Sequence, residues 1–194
     1  MFKGQKCEAG TSSDGIVDSI SNAKLTSIHI HSMLLSMNPR TLALIDIENL
    51  YGDCSPQSPY GPITEQDTAA LKRVVESLYD CPETPAVVAS SHAVAKTVMW
   101  GWPEAGRRWR SGADGADLAL LNEYTPAEIA ERFARVILAS GDGIFTDFVA
   151  ECGRLGVRVD VLSRPEALSK RLALAAGNIY TFDSSMFGGR KRAA

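Results

Sequence analysis

Asp46 closes a short apolar run, Thr41-Leu-Ala-Leu-Ile45, and Asn49 follows three residues later. Gly112-Ala-Asp114-Gly-Ala-Asp117 carries two more acids, and Ser140-Gly141-Asp142 comes directly after a second apolar run, Val136-Ile-Leu-Ala139. Acids of like charge repel at close range, so a cluster of them is costly unless a cation neutralises it. An oxygen-only cluster suits the hard cations Mg²⁺ or Mn²⁺, whose usual partners are phosphates. The sequence shows no obvious pairing of a His with a serine and no suitably placed Cys, so metal-assisted phosphodiester chemistry is the most economical use of these residues.

Each residue also has a plainer use. Asp142 could cap the helix that follows it, and Asn49 could serve a turn or a cap. Asp114 reads as a turn residue, and Asp117 falls where an acid favours the start of a helix. Asp46 is harder to dismiss, because a carboxylate closing a buried strand needs a partner. Their common position carries more weight than any one of them.

That position follows from the alternation of elements. Thr41–Ile45, Ala86–Ala89, Val136–Ala139, Val157–Leu162 and Ile179–Phe182 are short apolar runs of the kind buried on both faces of a sheet. Leu71, Val74, Val75 and Leu78 recur at helical spacing behind a start at Thr64 or Asp67, after a Pro/Gly/Ser loop from Gly52 to Pro62. Ser91–Trp100 reads as a helix stopped by Gly101 and Pro103. Ala116–Leu121 is helical, and Thr125-Pro126-Ala-Glu128 is a capping box with proline at the first helical position. Helices are also expected from Phe145 through Cys152 and over Glu166–Ala176. Strands alternating with helices predict an α/β fold: one Rossmann-like domain, its sheet mainly parallel, with helices on both faces. Ligands of such sheets bind beyond the carboxyl ends of the strands, where Asp46 and Asp142 fall.

The 194 residues suit one domain of roughly 100–200 residues with flanking segments. We expect an N-terminal arm over 1–38, a domain over 39–184 and a basic tail over 185–194 containing Arg190-Lys-Arg192. Twenty Lys and Arg against 23 Asp and Glu give a net charge of −3, which excludes a uniformly basic nucleic-acid coat but not a local basic patch. Cys7, Cys54, Cys81 and Cys152 form no C-x-x-C pair, so neither a zinc knuckle nor a disulfide framework is expected, and a reducing cytoplasm suits the chain. The Leu25–Met37 stretch is broken by polar residues and falls short of a membrane span or a signal peptide. Oligomeric state is left open.

Three segments resemble the motifs of NYN domains, a branch of the PIN-like ribonuclease superfamily. Leu44-Ile-Asp46-Ile-Glu-Asn49-Leu50 is similar to the opening hydrophobic-Asp-x-x-Asn motif. Gly112-Ala-Asp-Gly-Ala-Asp117-Leu-Ala-Leu120 resembles the second, and Ile137-Leu-Ala-Ser140-Gly141-Asp142-Gly-Ile-Phe145 the third. Leu155–Ser163 is similar to the helix end and strand that follow, so order and spacing agree over residues 40 to 183, nearly three-quarters of the chain. The resemblance implies a PIN-type fold and hydrolysis of RNA phosphodiesters, with Asp46, Asp117 and Asp142 holding Mg²⁺ or Mn²⁺. It further implies that Asn49 orients Asp46, a water or the scissile phosphate, and that Ser140 supports the third carboxylate.

Many NYN domains carry Ser-Gly-Asp-x-Asp, and Ile144 stands at the second acid position here. Asp147 lies on a similar helix face roughly 4.5 Å further along the axis, and Glu123 is a candidate carboxylate at the rim. For RNA contact, Arg107, Arg108 and Arg110 interleave with Trp100, Trp102 and Trp109 just before the second acidic motif. Arginine pairs with phosphate and tryptophan stacks on unpaired bases, although the tryptophans also suit a core. Two other readings stand beside the ribonuclease. One is an NYN-type RNA-binding module with weak catalysis, because of Ile144. The other is a small-molecule phosphate-ester hydrolase, which Asp46-Ile-Glu48 serves poorly for want of an Asp-x-Asp.

Overall fold

A computed structural model describes residues 40–52 and 61–183. The chain divides into two units, Met1–Pro39 and Arg40–Ala194, and all that follows belongs to the second. The expected arm, most of the Gly52–Pro62 loop and the basic tail lie outside the described residues.

The apolar runs form strands because Val, Ile, Leu and Ala can be buried on both faces of a parallel sheet without leaving polar atoms unpaired. β1 (Thr41–Asp46) runs into a short helix, α1 (Ile47–Tyr51). α2 (Glu65–Glu76) starts at a capping box in which Thr64 and Asp67 satisfy each other's backbone N–H groups. β2 (Ala86–Ser90), α3 (Ala95–Gly101) and β3 (Gly106–Trp109) follow. α4 (Gly115–Leu121) and α5 (Pro126–Arg132) lead to β4 (Arg135–Ala139). A 3₁₀ turn (Gly143–Phe145) opens α6 (Thr146–Arg154), and β5 (Arg158–Ser163) comes next. Another 3₁₀ turn (Pro165–Ala167), α7 (Lys170–Ala175) and β6 (Asn178–Thr181) complete the described chain.

The described strands make one parallel sheet in the order β3-β2-β1-β4-β5-β6. Alternation along β1 separates two cores. Leu42 and Leu44 face one that includes Ala116 and Leu120 of α4, Ile129 of α5 and Phe148 and Cys152 of α6. Ala43 and Ile45 face the other, with Leu71 and Val75 of α2, Val98 of α3 and Trp102. The fold is therefore α/β with helices on both faces, as the pattern predicts. No described helix is long and apolar enough to cross a membrane.

Three expectations need correction. Gly106-Arg-Arg-Trp109, part of the candidate RNA-contact stretch and assigned no element from the sequence, is the edge strand β3, held in register by β2 with Val88 opposite Arg107. The helix expected from Ser91 begins only at Ala95, since Ser91 spends both its N–H and its hydroxyl on the Glu48 carboxylate. The helix expected over Glu166–Ala176 is broken, because the Ser169 N–H donates across to the Gly141 carbonyl at 2.8 Å instead of continuing a helix.

One buried ion pair stiffens the sheet away from the carboxyl edge. Asp160, fully buried in β5, accepts from Arg135 Nε and from Asn178 Nδ2, each at 2.8 Å. Arg135 reaches on to the Leu78 carbonyl and the Asp80 carboxylate.

Candidate functional site

The strand order reverses between β1 and β4, and their carboxyl ends carry Asp46 and Ser140-Gly141-Asp142. This is the crevice where open α/β sheets bind ligands. Four segments build it. β1 ends in Asp46, whose carboxylate also caps α1 by accepting the Asn49 N–H at 3.2 Å. β4 is followed directly by Ser140, whose hydroxyl donates to Asp46 Oδ2 at 3.4 Å and accepts the Asp142 N–H at 3.2 Å. The turn after β5 packs against the second segment so closely that a Cβ on Gly141 would meet Ser163 Oγ and, at 2.5 Å, the Ala167 carbonyl oxygen. The fourth segment is the start of α4. It is launched by Asp114 in the left-handed region at φ 53°, which Asp tolerates better than most residues, and it carries Asp117.

Asp46 and Asp117 meet. Burial, then the hydrogen bond and the charge of Asp117, hold the Asp46 carboxyl well above the usual carboxylate range. Asp117 is raised as well, chiefly by burial and further by repulsion from Asp142 and Asp114, against the lowering effect of its bond with Asp46. The charge of either carboxyl therefore bears on the protonation of the other. Asp117 Oδ1 is buried and has no hydrogen-bond partner in the structure, and an orphaned carboxylate oxygen is costly to bury.

Asp142 stands within electrostatic range of Asp117 but is turned to a structural task, its Oδ1 accepting the Ile144 N–H at 2.9 Å. Among the described residues no group of three or more His, Cys, Asp or Glu side chains lies close enough to hold a metal ion. The expected three-carboxylate centre is thus a contact pair with a third acid nearby. Asn49 staples the site: its Oδ1 accepts the Gly141 N–H at 2.8 Å, joining the β1 and β4 loops.

The remaining predicted residues lie further from this centre. Glu123 is taken by a two-bond ion pair with Arg108. Asp147 stands in solvent with its side chain 96% exposed, 3.9 Å from Arg171, so it does not replace the acid missing at Ile144. Arg107 donates to the Pro103 carbonyl. Arg110 is exposed just past the end of β3, on the carboxyl edge. Trp102 is core and Trp109 packs against it. Trp100 is exposed near the end of α3.

Sequence reasoning passed over Glu48 and Arg164. Glu48 grips Ser91 and its charge further raises Asp46. Arg164 donates through Nε and Nη2 to the Asn49 carbonyl, at 3.3 and 3.1 Å, and through Nη1 to Glu166. Both lie immediately after strand ends, so the carboxyl-edge rule that selected Asp46 could have found them too.

No protein-family model and no curated protein matches the chain. Among solved structures it is similar to a protein of unknown function from Vibrio parahaemolyticus, with a TM-score of 0.50 and 20% identity. The match covers 76% of this chain and 95% of that one. The likeness is one of fold.

Proposed function

We propose that this protein is a ribonuclease of the NYN type that hydrolyses RNA phosphodiesters with Mg²⁺ or Mn²⁺. The observation that carries the proposal is the Asp46–Asp117 pair at the point where strand order reverses, with Asp117 Oδ1 left without a partner. Magnesium commonly uses only one or two carboxylates, the rest of its shell being waters and substrate phosphates, so the pair fits it without a third protein ligand. Asp46 and Asp117 would hold the ion, and Asp142 would add negative charge nearby. When bound, the ion neutralises charge developing on the phosphate and makes a nearby water easier to deprotonate.

The chain's own residues supply placement. Ser140 fixes Oδ2 of Asp46, and the Asn49 N–H fixes Oδ1. The Asn49 side chain and Arg164 lock the β1, β4 and β5 loops together, so that the acids are held before substrate arrives. In the direct test, labelled single-stranded RNA is incubated with Mg²⁺ or Mn²⁺ and with a chelator. Cleavage only with the metal supports the proposal, and equal cleavage under both conditions overturns the metal mechanism.

A specific observation favours the second reading, an RNA-binding module with weak catalysis. Asp142 is spent on a cap, and Ile144 occupies the position of a further acid. RNA bound without cleavage in the same assay selects that reading.

A further inference from the structure

At the carboxyl edge, next to the acids, one imidazole is held ready and the chemistry above does not use it. His92 lies two residues past β2, exposed, after Ser91, which the Glu48 carboxylate grips through its N–H at 2.9 Å and its hydroxyl at 2.7 Å. Glu48 is itself two residues from Asp46 and acts on its charge, which ties the β2 loop to the acidic pair. Ser111, in the segment that leads to Asp117, closes the arrangement. Its hydroxyl accepts the His92 backbone N–H at 3.2 Å and stands 3.0 Å from the ring Nδ1.

With its oxygen receiving the backbone donor, Ser111 can send its own proton to Nδ1. Nε2 then carries the ring proton. That nitrogen keeps its proton whether the ring is neutral or charged, so it is a donor in both states.

A phosphodiester approaching this edge meets Asp46, Glu48, Asp114, Asp117 and Asp142, and needs donors to come close. Arg164 is committed to the Asn49 carbonyl and Glu166, and Arg108 to Glu123. Resting on the phosphodiester reading, we propose that His92 is a substrate-contacting residue whose Nε2–H donates to a phosphate oxygen, with Ser111 setting the ring's orientation.

The test follows the His92 ring nitrogens by NMR in the ¹⁵N-labelled full chain, assigned with His92→Gln. Inorganic phosphate and a single-stranded RNA dodecamer in chelator are added in separate series, and RNA affinity is measured by fluorescence anisotropy. The proposal expects the Nε2–H form in the free protein and movement of the His92 signals on adding RNA. It expects affinity to fall about tenfold in His92→Ala, the loss of one hydrogen bond to a charged acceptor, with part recovered in His92→Gln. Ser111→Ala should lose the single ring form and fall between. RNA binding that leaves the His92 signals still, or an unchanged affinity in His92→Ala, overturns the proposal while the ribonuclease reading stands. Phosphate that moves the signals, with RNA neither bound nor cleaved, keeps the phosphate contact and removes RNA as the substrate. If neither probe binds and no metal-dependent cleavage occurs, both fall.

Discussion

The Asn49 side chain accepts the backbone N–H of Gly141 at 2.8 Å, so one amide joins the loops after β1 and β4 across the point where strand order reverses. Gly141 is buried, and its N–H would have no acceptor without Asn49. Asn49→Ala is therefore expected to lower stability by about 1–3 kcal/mol, the cost of an unsatisfied buried donor. Asn49→Asp keeps the acceptor but adds a negative charge beside an acidic pair. Chemical denaturation of both variants checks this: the alanine variant should unfold at lower denaturant with an unchanged slope.

Asp46 makes the opposite prediction. Its carboxyl is raised by burial and by Asp117, so the native state keeps a proton that the unfolded chain loses near the usual carboxylate range. Between that range and the raised native value the native state binds more protons, and stability falls as pH rises. Without divalent metal, Asp46→Asn removes the penalty. The variant is expected to be more stable than the natural protein at neutral pH by about 0.5–2 kcal/mol, as when an active-site strain is relieved, and to lose metal-dependent cleavage. Thermal melts at pH 5 and pH 7.5 check the sign: the gain should shrink at the lower pH. A destabilised Asp46→Asn would mean that the carboxylate is structural.

These two residues also mark what the sequence makes visible. Asp46 and the ends of β1 and β4 are legible because the signals are local: an apolar run, then an acid. The capping boxes at Thr64 and Thr125 are legible for the same reason, each resting on residues three apart. β3 is not, since Gly-Arg-Arg-Trp has no strand pattern of its own and becomes one only by pairing with β2. The break before α7 is equally hidden, because it depends on the distant Gly141 carbonyl. For Asp142 both uses were readable, a cap or a ligand, and only the placement of its Oδ1 on the Ile144 N–H separates them. The contact of Asp46 with Asp117 depends on how α4 packs on the sheet, which no short-range pattern encodes.

Gly141 admits no larger residue. A Cβ there would press on Ser163 Oγ and the Ala167 carbonyl, and backbone cannot yield as a flexible side chain can. Gly141→Ala is expected to cost about 1–3 kcal/mol as overpacking and to shift the Ser140 and Asp142 backbone. A drop in melting temperature together with weaker Mn²⁺ binding, measured calorimetrically, is the expected pair of results.

The Arg135–Asp160 pair tests the sheet independently of the site. Arg135→Met leaves Asp160 buried, with Asn178 Nδ2 and the more distant Arg158, 3.5 Å away, as its remaining partners. Removing one partner of a buried pair costs about 3–5 kcal/mol. Denaturant unfolding should show that loss, while RNA affinity measured under conditions where the variant stays folded should not change.

The three arginines expected to meet RNA are unequally free to do so. Arg108 is held by Glu123, and Arg107 bonds the Pro103 carbonyl, whereas Arg110 projects from the carboxyl edge just before the segment that carries Asp117. A lysine or arginine on a phosphate releases counterions, so removing one contact reduces the salt slope of RNA affinity by about 0.7 for a single strand. Arg110→Ala is expected to weaken binding across sequences and to flatten that slope by one such step. Arg108→Ala should leave the slope nearly unchanged, because its charge is already matched inside the protein. Titrations at several salt concentrations distinguish the two. Equal slopes for the natural protein and Arg110→Ala would remove Arg110 from the RNA surface.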